Sequence, residues 1–152
     1  KWEKVVNMFI GQSYPSFESK KRLVLPAKYR NELGEEFYGL VDFDHCISLY
    51  PSSLYQKRAE SIDSLDNFSS DNGLLKRLFF GNSCELKIDK VGRVLIPQTI
   101  LDKAHIKLDK EVILVGVYDH LELWDLETYN EKNNSSDDEK CYEALAERLA
   151  AK

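Results

Sequence analysis

The strongest constraint on this chain is a motif that it contains twice. Residues 9–26 read FIGQSYPSFESKKRLVLP, and residues 79–97 read FFGNSCELKIDKVGRVLIP. In each copy an acidic residue precedes an arginine by four positions, and three apolar residues and a proline follow. A sequence that recurs this closely predicts two copies of one structural unit, so any site built on that unit should occur in pairs.

The similarity continues beyond the prolines, because residues 43–50 align with residues 118–124. Each unit spans roughly fifty residues, and two copies are too few for a solenoid, which needs at least three. We therefore expect one pseudo-symmetric domain. The expected divisions are an N-terminal extension at 1–8, units at 9–57 and 79–132, a connecting loop and helix at 58–78, and a linker with a terminal helix at 133–152.

Local patterns predict that each unit is built from short strands. Cys84–Ile88 alternates apolar and charged residues, which is typical of a half-buried strand. Asp89–Gly92 has turn composition, and Gly92 is free to adopt a positive φ. Further strands are expected at 93–96, 112–118, 121–124, 37–43 and 46–50, and short helices at 26–33, 51–62 and 98–105. The predicted fold class is mostly β with short helices (α+β).

Two further helices are expected outside the repeated motif. Asp71 is predicted to cap a helix whose apolar residues lie between 74 and 79. Residues 136–139 have the spacing of a capping box, and the helix that follows is amphipathic. It places three residues on one face: Cys141, Leu145 and Leu149. We expect this face to dock on its own domain, with a neighbouring molecule as the alternative.

Composition excludes several classes of protein. With 43% hydrophobic and 31% charged residues, the chain resembles an ordinary globular protein, and no apolar run approaches the ~20 residues of a membrane helix. Its three cysteines form no C-x-x-C pair, which argues against a disulfide framework or a zinc site and favours reduced thiols in the cytoplasm. We expect no metal and no cofactor. Met8 is the expected natural start, with residues 1–7 as an extra leader.

The net charge of −5 is unusual for a nucleic-acid-binding protein, but the charge is polarised along the chain. Between Glu18 and Arg30 there are five basic residues and one carboxylate, and the second copy adds further cations beside Asp89. Much of the acidity lies elsewhere, at 63–71 and 137–139. This distribution permits a basic face.

The repeated motif closely resembles the MraZ family of bacterial transcriptional regulators. The resemblance covers about residues 8–132 and rests on the acidic residue, the arginine, the apolar triplet and the proline of each copy. It implies AbrB-like swapped-hairpin units that form a β-barrel (double-ψ or swapped-hairpin) within one chain, and ring-shaped homo-oligomers. It also implies a nucleoid-associated regulator that binds short repeated boxes upstream of a cell-division and cell-wall gene cluster that includes its own gene.

Carried over residue by residue, the resemblance places DNA contacts in a first turn, Glu18–Arg22, and a second turn, Asp89–Arg93. The residues implied to take part are Glu18, Lys20, Lys21, Arg22, Asp89, Lys90 and Arg93. An arginine fork can bond guanine O6 and N7 together, and lysines or backbone N–H groups can position the protein on phosphates. The carboxylates could hold turn amides or the arginine rotamer.

The first turn departs from the family pattern, because Glu18 replaces aspartate and Lys21 replaces glycine. A left-handed backbone at Lys21 would cost on the order of 1 kcal/mol or more. We therefore expect a slightly altered first turn, with charge near phosphate as the alternative compensation.

Several features also have purely structural interpretations. Arg22 and Arg93 could form ion pairs with Glu18 and Asp89 that only stiffen the turns. Lys28 and Arg30 follow a proline at a helix start, where a solvated face is expected. His45, His105 and His120 could suggest an enzyme, but His45 and His120 suit equivalent hairpin turns. Tyr50 and Trp124 suit the core or a subunit contact.

Three functional hypotheses follow from the sequence. The first is a sequence-specific DNA-binding transcriptional regulator, and the second is a ring-forming scaffold whose basic turns bind acidic protein surfaces. The third, a cysteine hydrolase, has little support, because no G-x-S-x-G, Walker or H-E-x-x-H motif is present. No small-molecule substrate and no membrane association are indicated.

Overall fold

The computed structural model describes residues 8–18, 21–133 and 141–151. The strands are β1 (Gln12–Ser13), β2 (Phe17–Glu18), β3 (Arg22–Val24), β4 (Glu36–Val41), β5 (Ile47–Pro51), β6 (Ser83–Lys87), β7 (Arg93–Leu95), β8 (Val112–Gly116) and β9 (Leu121–Asp125). The helices are α1 (Ala27–Leu33), α2 (Ser52–Asp63), α3 (Ser70–Gly81), α4 (Gln98–Lys103), α5 (Leu126–Asn133) and α6 (Tyr142–Ala150). The fold is therefore mixed, with antiparallel sheets and peripheral helices.

The two repeats exchange strands. The larger sheet has the order β1-β8-β9-β5-β4-β6, and the smaller has the order β2-β3-β7. If each strand is replaced by its equivalent in the other repeat, β1 with β6, β8 with β4 and β9 with β5, the order of the larger sheet reads the same from the other end. In the smaller sheet β3 of the first repeat pairs directly with β7 of the second. Each repeat thus completes the sheets of the other.

The expected closed barrel is not observed among the described residues, where the strands form two open sheets. One edge strand, β1, is only two residues long. Pro15 follows it closely, and proline cannot donate a hydrogen bond to a sheet ladder. In the second repeat the equivalent strand, β6, continues for five residues. The interruption near Pro15 keeps this edge strand short.

A single main core lies between the sheets and the two short helices α1 and α4. It draws fully buried side chains from both repeats, including Leu23, Leu25, Ile96, Leu101, Leu114 and Leu123. Burial of each such side chain contributes on the order of 1.5–3 kcal/mol. The main core is therefore common to both repeats.

Two smaller clusters lie outside this core. One packs Leu40, Tyr50 and Tyr55 beneath α2, with partly buried Phe79 of α3 against them. The other surrounds Trp124 and is partly covered by α5. Tyr50 and Trp124 are 6% and 4% exposed, which confirms the core-packing interpretation for both residues.

Several sequence-based boundaries were wrong. The cap of α3 is Ser69, whose Oγ accepts from the Asp71 N–H at 3.2 Å, and not Asp71. The helix includes Phe79, as expected, and continues to Gly81, whereas the counterpart Phe9 bridges to Tyr118. The first positions of the repeated motif therefore have different structures in the two copies.

The end of the chain also differs from the prediction. Helix α5 was not predicted, although Asp125 Oδ2 accepts hydrogen bonds from the Thr128 N–H and hydroxyl, both at 3.0 Å. Helix α6 begins at Tyr142 with Cys141 as its N-cap, while the predicted capping box lies outside the described residues. No residue of α6 is buried, so the expected docking on its own domain is not observed. The proposed leader, residues 1–7, also lies outside the described residues.

Candidate nucleic-acid interface

The second turn is organised by the carboxylate of Asp89. Its Oδ1 accepts hydrogen bonds from the Val91 N–H at 3.0 Å and from the Arg93 N–H at 2.8 Å. Its Oδ2 accepts from Arg93 Nε at 2.9 Å, which forms a charge-assisted pair. Gly92 closes the turn with φ +87°. Asp89 thus fixes both the backbone of the turn and the orientation of the arginine.

The same contacts lower the pKa of Asp89. The hydrogen bond from the Arg93 N–H has the largest effect, and the Arg93 guanidinium and the Val91 N–H add to it. The charged form is therefore favoured in the folded chain. The ion pair uses Nε of Arg93, and no described residue accepts a hydrogen bond from its two terminal nitrogens. Those nitrogens form the fork that a base edge requires.

The first turn keeps the left-handed backbone of the second at the equivalent residue. Lys21 has φ +70°, compared with +87° at Gly92, so the expected altered turn is not found at this residue. The carbonyl of Lys21 accepts from the Ile96 N–H at 3.1 Å, just as the carbonyl of Gly92 accepts from the Leu25 N–H at 2.9 Å. Lys20 lies outside the described residues. Glu18 is exposed and lies opposite Arg22 in the register of β2 and β3.

The two arginines lie on one face of the smaller sheet. Arg22 is paired in register with Leu95, and Arg93 with Val24. Between them the paired residues Leu23 and Val94 are buried in the core. Because side chains alternate along a strand, both arginines are on the outer face, diagonal to each other with Cα atoms about 7–8 Å apart.

Arg30 contacts the second turn, whereas a solvated face was expected for it. Its Nε donates to the Leu25 carbonyl at 2.9 Å, and its guanidinium lies against Gly92, where a Cβ atom would collide with it. Helix α1 of the first repeat therefore supports the turn of the second. The equivalent position in α4 is the fully buried Leu101, so no such signal is visible in the repeat. Lys28 is exposed above the Tyr29 ring, as expected.

A second polar cluster consists of Asp42, Cys46 and Glu122. The side-chain atoms with which they could hold a metal ion lie within 4.8 Å of one another. The carboxylates already have partners, because Ser48 Oγ donates to Asp42 and Trp124 Nε1 to Glu122. Burial, followed by the two carboxylates, raises the pKa of Cys46 far above its ordinary value. A thiol of this kind is a poor nucleophile, which counts against the cysteine-hydrolase hypothesis.

His120 links this cluster to the turn between β8 and β9. Its Nδ1 lies 2.7 Å from Asp119 and its Nε2 lies 3.3 Å from Glu122. Burial alone would lower the pKa of His120, but the hydrogen bonds to Glu122 and Asp119 outweigh it and raise the pKa. The hydrogen bond from His120 lowers the pKa of Glu122. These hydrogen bonds join the polar cluster and the β8–β9 turn in one network.

None of the described helices is both long and apolar enough to span a membrane. Comparison with known protein families gives a match to each of the two repeats. The family model described as "MraZ protein, putative antitoxin-like" matches the chain twice, over residues 8–78 and 79–150.

Curated relatives named "Transcriptional regulator MraZ" include proteins from Finegoldia magna, Carboxydothermus hydrogenoformans and Clostridium tetani. The F. magna protein is 37% identical over 85% of this chain and 89% of its own length. The C. hydrogenoformans protein is 37% identical over 93% and 96%, and the C. tetani protein 35% identical over 94% and 97%. Because the family model matches both repeats and these relatives align along most of their length, the chain belongs to the MraZ family.

Proposed function

We propose that this chain is a transcriptional regulator that binds DNA sequence-specifically through its two turns. The observation that carries the proposal is the placement of Arg22 and Arg93 on one outer face of the β3–β7 pair. The major groove of B-DNA is ~12 Å wide and admits a two-stranded antiparallel ribbon, and the β3–β7 pair is such a ribbon with only the two-residue strand β2 at its edge. One arginine from each repeat could then bond neighbouring guanines, at about 1–3 kcal/mol of discrimination for each good pairing.

The remaining predicted residues have supporting roles in this proposal. Lys20, Lys21 and Lys90 would neutralise phosphates, and Glu18 and Asp89 would orient the arginines. Leu95, which is half exposed and lies directly opposite Arg22, offers an apolar contact for a thymine methyl group. The relatives named as transcriptional regulators support a role of this kind.

We further propose that the chain acts as a ring-shaped homo-oligomer in the cytoplasm, at the nucleoid. Its targets would be short repeated boxes upstream of a cell-division and cell-wall gene cluster that includes its own gene. Several copies side by side would engage several boxes, and linked contacts raise affinity without new chemistry. This arrangement reconciles tight DNA binding with a net charge of −5.

The test is fluorescence anisotropy on the DNA upstream of the gene, with a shuffled duplex as the reference and two salt concentrations. We expect preference for the native sequence, and weaker binding at higher salt because counterions are released. Arg22→Ala and Arg93→Ala should each lose about 1–3 kcal/mol of that preference. Arg77→Ala, which removes the same charge from the exposed surface of α3, is the matched control.

Equal binding to the native and shuffled duplexes would contradict the proposal. If neither duplex binds while the oligomer is intact, the scaffold hypothesis takes its place, and acidic protein partners become the object of the search.

A further inference from the structure

The inference concerns a groove between α2, α3 and the β4–β5 hairpin. It has a volume of about 960 Å³ and an apolar floor made by Leu40, Leu54, Ile62, Leu75, Leu78 and Phe79. Phe43, also in its lining, is 84% exposed. The lining carries three cations, Lys57, Arg58 and Lys103, and two carboxylates, Asp42 and Asp44, so the cations are in excess. A groove with an apolar floor and a cationic rim suits an amphipathic helix with acidic residues.

The terminal helix α6 has these properties. Tyr142, Leu145 and Leu149 are spaced by three and then four residues, so they form one apolar stripe. All three side chains are at least half exposed on their own chain. From residue 137 to the end, the sequence has five carboxylates, at 137, 138, 139, 143 and 147, against three cations, at 140, 148 and 152.

The lengths are compatible. Helix α6 has nine residues and is about 14 Å long, while α2 and α3 each have twelve residues and are about 18 Å long. The apolar stripe of α6 can therefore lie within the groove along its whole length.

The tail leaves the body of the protein beside its own groove. Lys132 Nζ, near the end of α5, donates to the carbonyl of Asp44 at 3.2 Å, and Asp44 lines the groove. Only eight residues, 134–141, separate α5 from α6. A tether this short gives α6 a high effective concentration near its own groove, so α6 would fill that groove if the groove ran in a suitable direction. Helix α6 nevertheless buries none of its residues. This contrast favours a second copy as the source of the helix.

We propose that α6 of one copy docks in the groove between α2 and α3 of the next copy. The two surfaces differ, so the contact is head-to-tail, and contacts of this type generate closed rings when the rotation allows. The inference rests on the proposed assembly into a homo-oligomer and is independent of DNA recognition by the two turns.

The test is sedimentation velocity of full-length variants without DNA. Leu149→Glu places a charge on the docking face of α6, and Ala151→Glu, at the C-cap of the helix on the side away from that face, is its control. Leu78→Glu places a charge in the groove, and its control is Leu74→Glu, which is similarly exposed on α3 but does not line the groove. We expect wild type and both controls to be oligomers, and L149E and L78E to be monomers.

Mixing the two defective variants tests the exchange itself. L149E retains an intact groove and L78E retains an intact tail, so an equimolar mixture should form a dimer through one productive contact and should not grow further. A mixture that remains monomeric would overturn the proposal, as would L149E that sediments like wild type, or a monomeric wild type. Lys57→Glu, which reverses a rim charge, gives a second groove variant if L78E does not fold.

Anisotropy on a duplex with a single box separates this inference from the proposed function. L149E should still prefer the native sequence on that duplex, because its turns are unchanged. Loss of the ring with retained sequence preference would support the tail exchange. An intact ring without preference would contradict only DNA recognition.

Discussion

At the scale of single residues, the two turns adopt the same left-handed backbone at equivalent positions but with different residue types. The second turn uses Gly92 at φ +87° and has the Arg30 guanidinium against it, whereas the first uses Lys21 at φ +70°. Glycine adopts this region without steric cost, while lysine pays on the order of 1–2 kcal/mol. The left-handed backbone at Gly92 favours glycine, and the contact with the Arg30 guanidinium leaves no room for a Cβ atom.

Exchanging these residue types should have opposite effects. Gly92→Ala should lower the free energy of unfolding by at least about 1–2 kcal/mol, because it combines left-handed strain with a collision against Arg30. Lys21→Gly should raise it by up to about 1 kcal/mol, since relief of strain exceeds the added entropy of the unfolded chain. Urea unfolding measures both values.

The control for these variants is Gly73→Ala, which lies in the interior of α3 with ordinary helical backbone. It should be stabilising by about 0.5–1 kcal/mol. If Gly92→Ala were as stable as this control, the strain assigned to the second turn would be refuted. A large loss of DNA affinity in Lys21→Gly would show that the lysine itself contributes to binding.

At the scale of elements, the β8–β9 hairpin has a pH-dependent anchor. His120 has a raised pKa, while Asp119 and Glu122 have lowered ones, because the three side chains are hydrogen-bonded. The contribution of His120 to stability is fully present below its ordinary pKa of 6.5 and is lost as pH rises through the raised value. The contributions of Asp119 and Glu122 are lost as pH falls through their lowered values.

The expected outcome is a loss of stability as pH rises above 6.5, measured by urea unfolding at pH 5.5, 7 and 8.5. His120→Gln should flatten this slope, since glutamine cannot titrate. Glu122→Gln should move the loss to lower pH, because the largest support for the charged imidazole is removed. An identical slope in wild type and His120→Gln would show that another group controls the pH dependence.

Strand β6 could be predicted because its alternation records burial on one face, whereas β5 and β8, which are buried on both faces over most of their length, could be predicted from their apolar runs. Helix α5 could not, because its eight residues are mostly polar and bury no side chain, and only the cap at Asp125 signals it. The role of Arg30 was also invisible, since it depends on a contact between repeats that the sequence does not encode locally. The closed barrel was implied by the family resemblance alone, and the strands of the described residues form two open sheets instead.

At the scale of the whole molecule, the repeats are interdependent. The β3–β7 pair and the β4–β6 pair both join one repeat to the other. The main core takes its fully buried side chains from both halves. The arginine pair also requires both repeats, because each supplies one arginine to the outer face.

Separate expression of residues 8–78 and 79–150 tests this interdependence. We expect each fragment alone to lack cooperative thermal unfolding, because its sheets and core are incomplete. An equimolar mixture should recover a cooperative transition by circular dichroism, at a midpoint that rises with concentration. A fragment that unfolds cooperatively alone would contradict the shared core.

The palindromic strand order also bears on how such a chain could have arisen. A single repeat that exchanged its strands with an identical copy would be an obligate homodimer. It would be folded only when its concentration exceeded the dissociation constant of the dimer. Joining the copies in one gene makes their meeting intramolecular, so the fold no longer depends on how much protein the cell makes. For a protein that regulates its own synthesis, as we propose, fusion would keep the DNA-reading unit intact when few molecules are present.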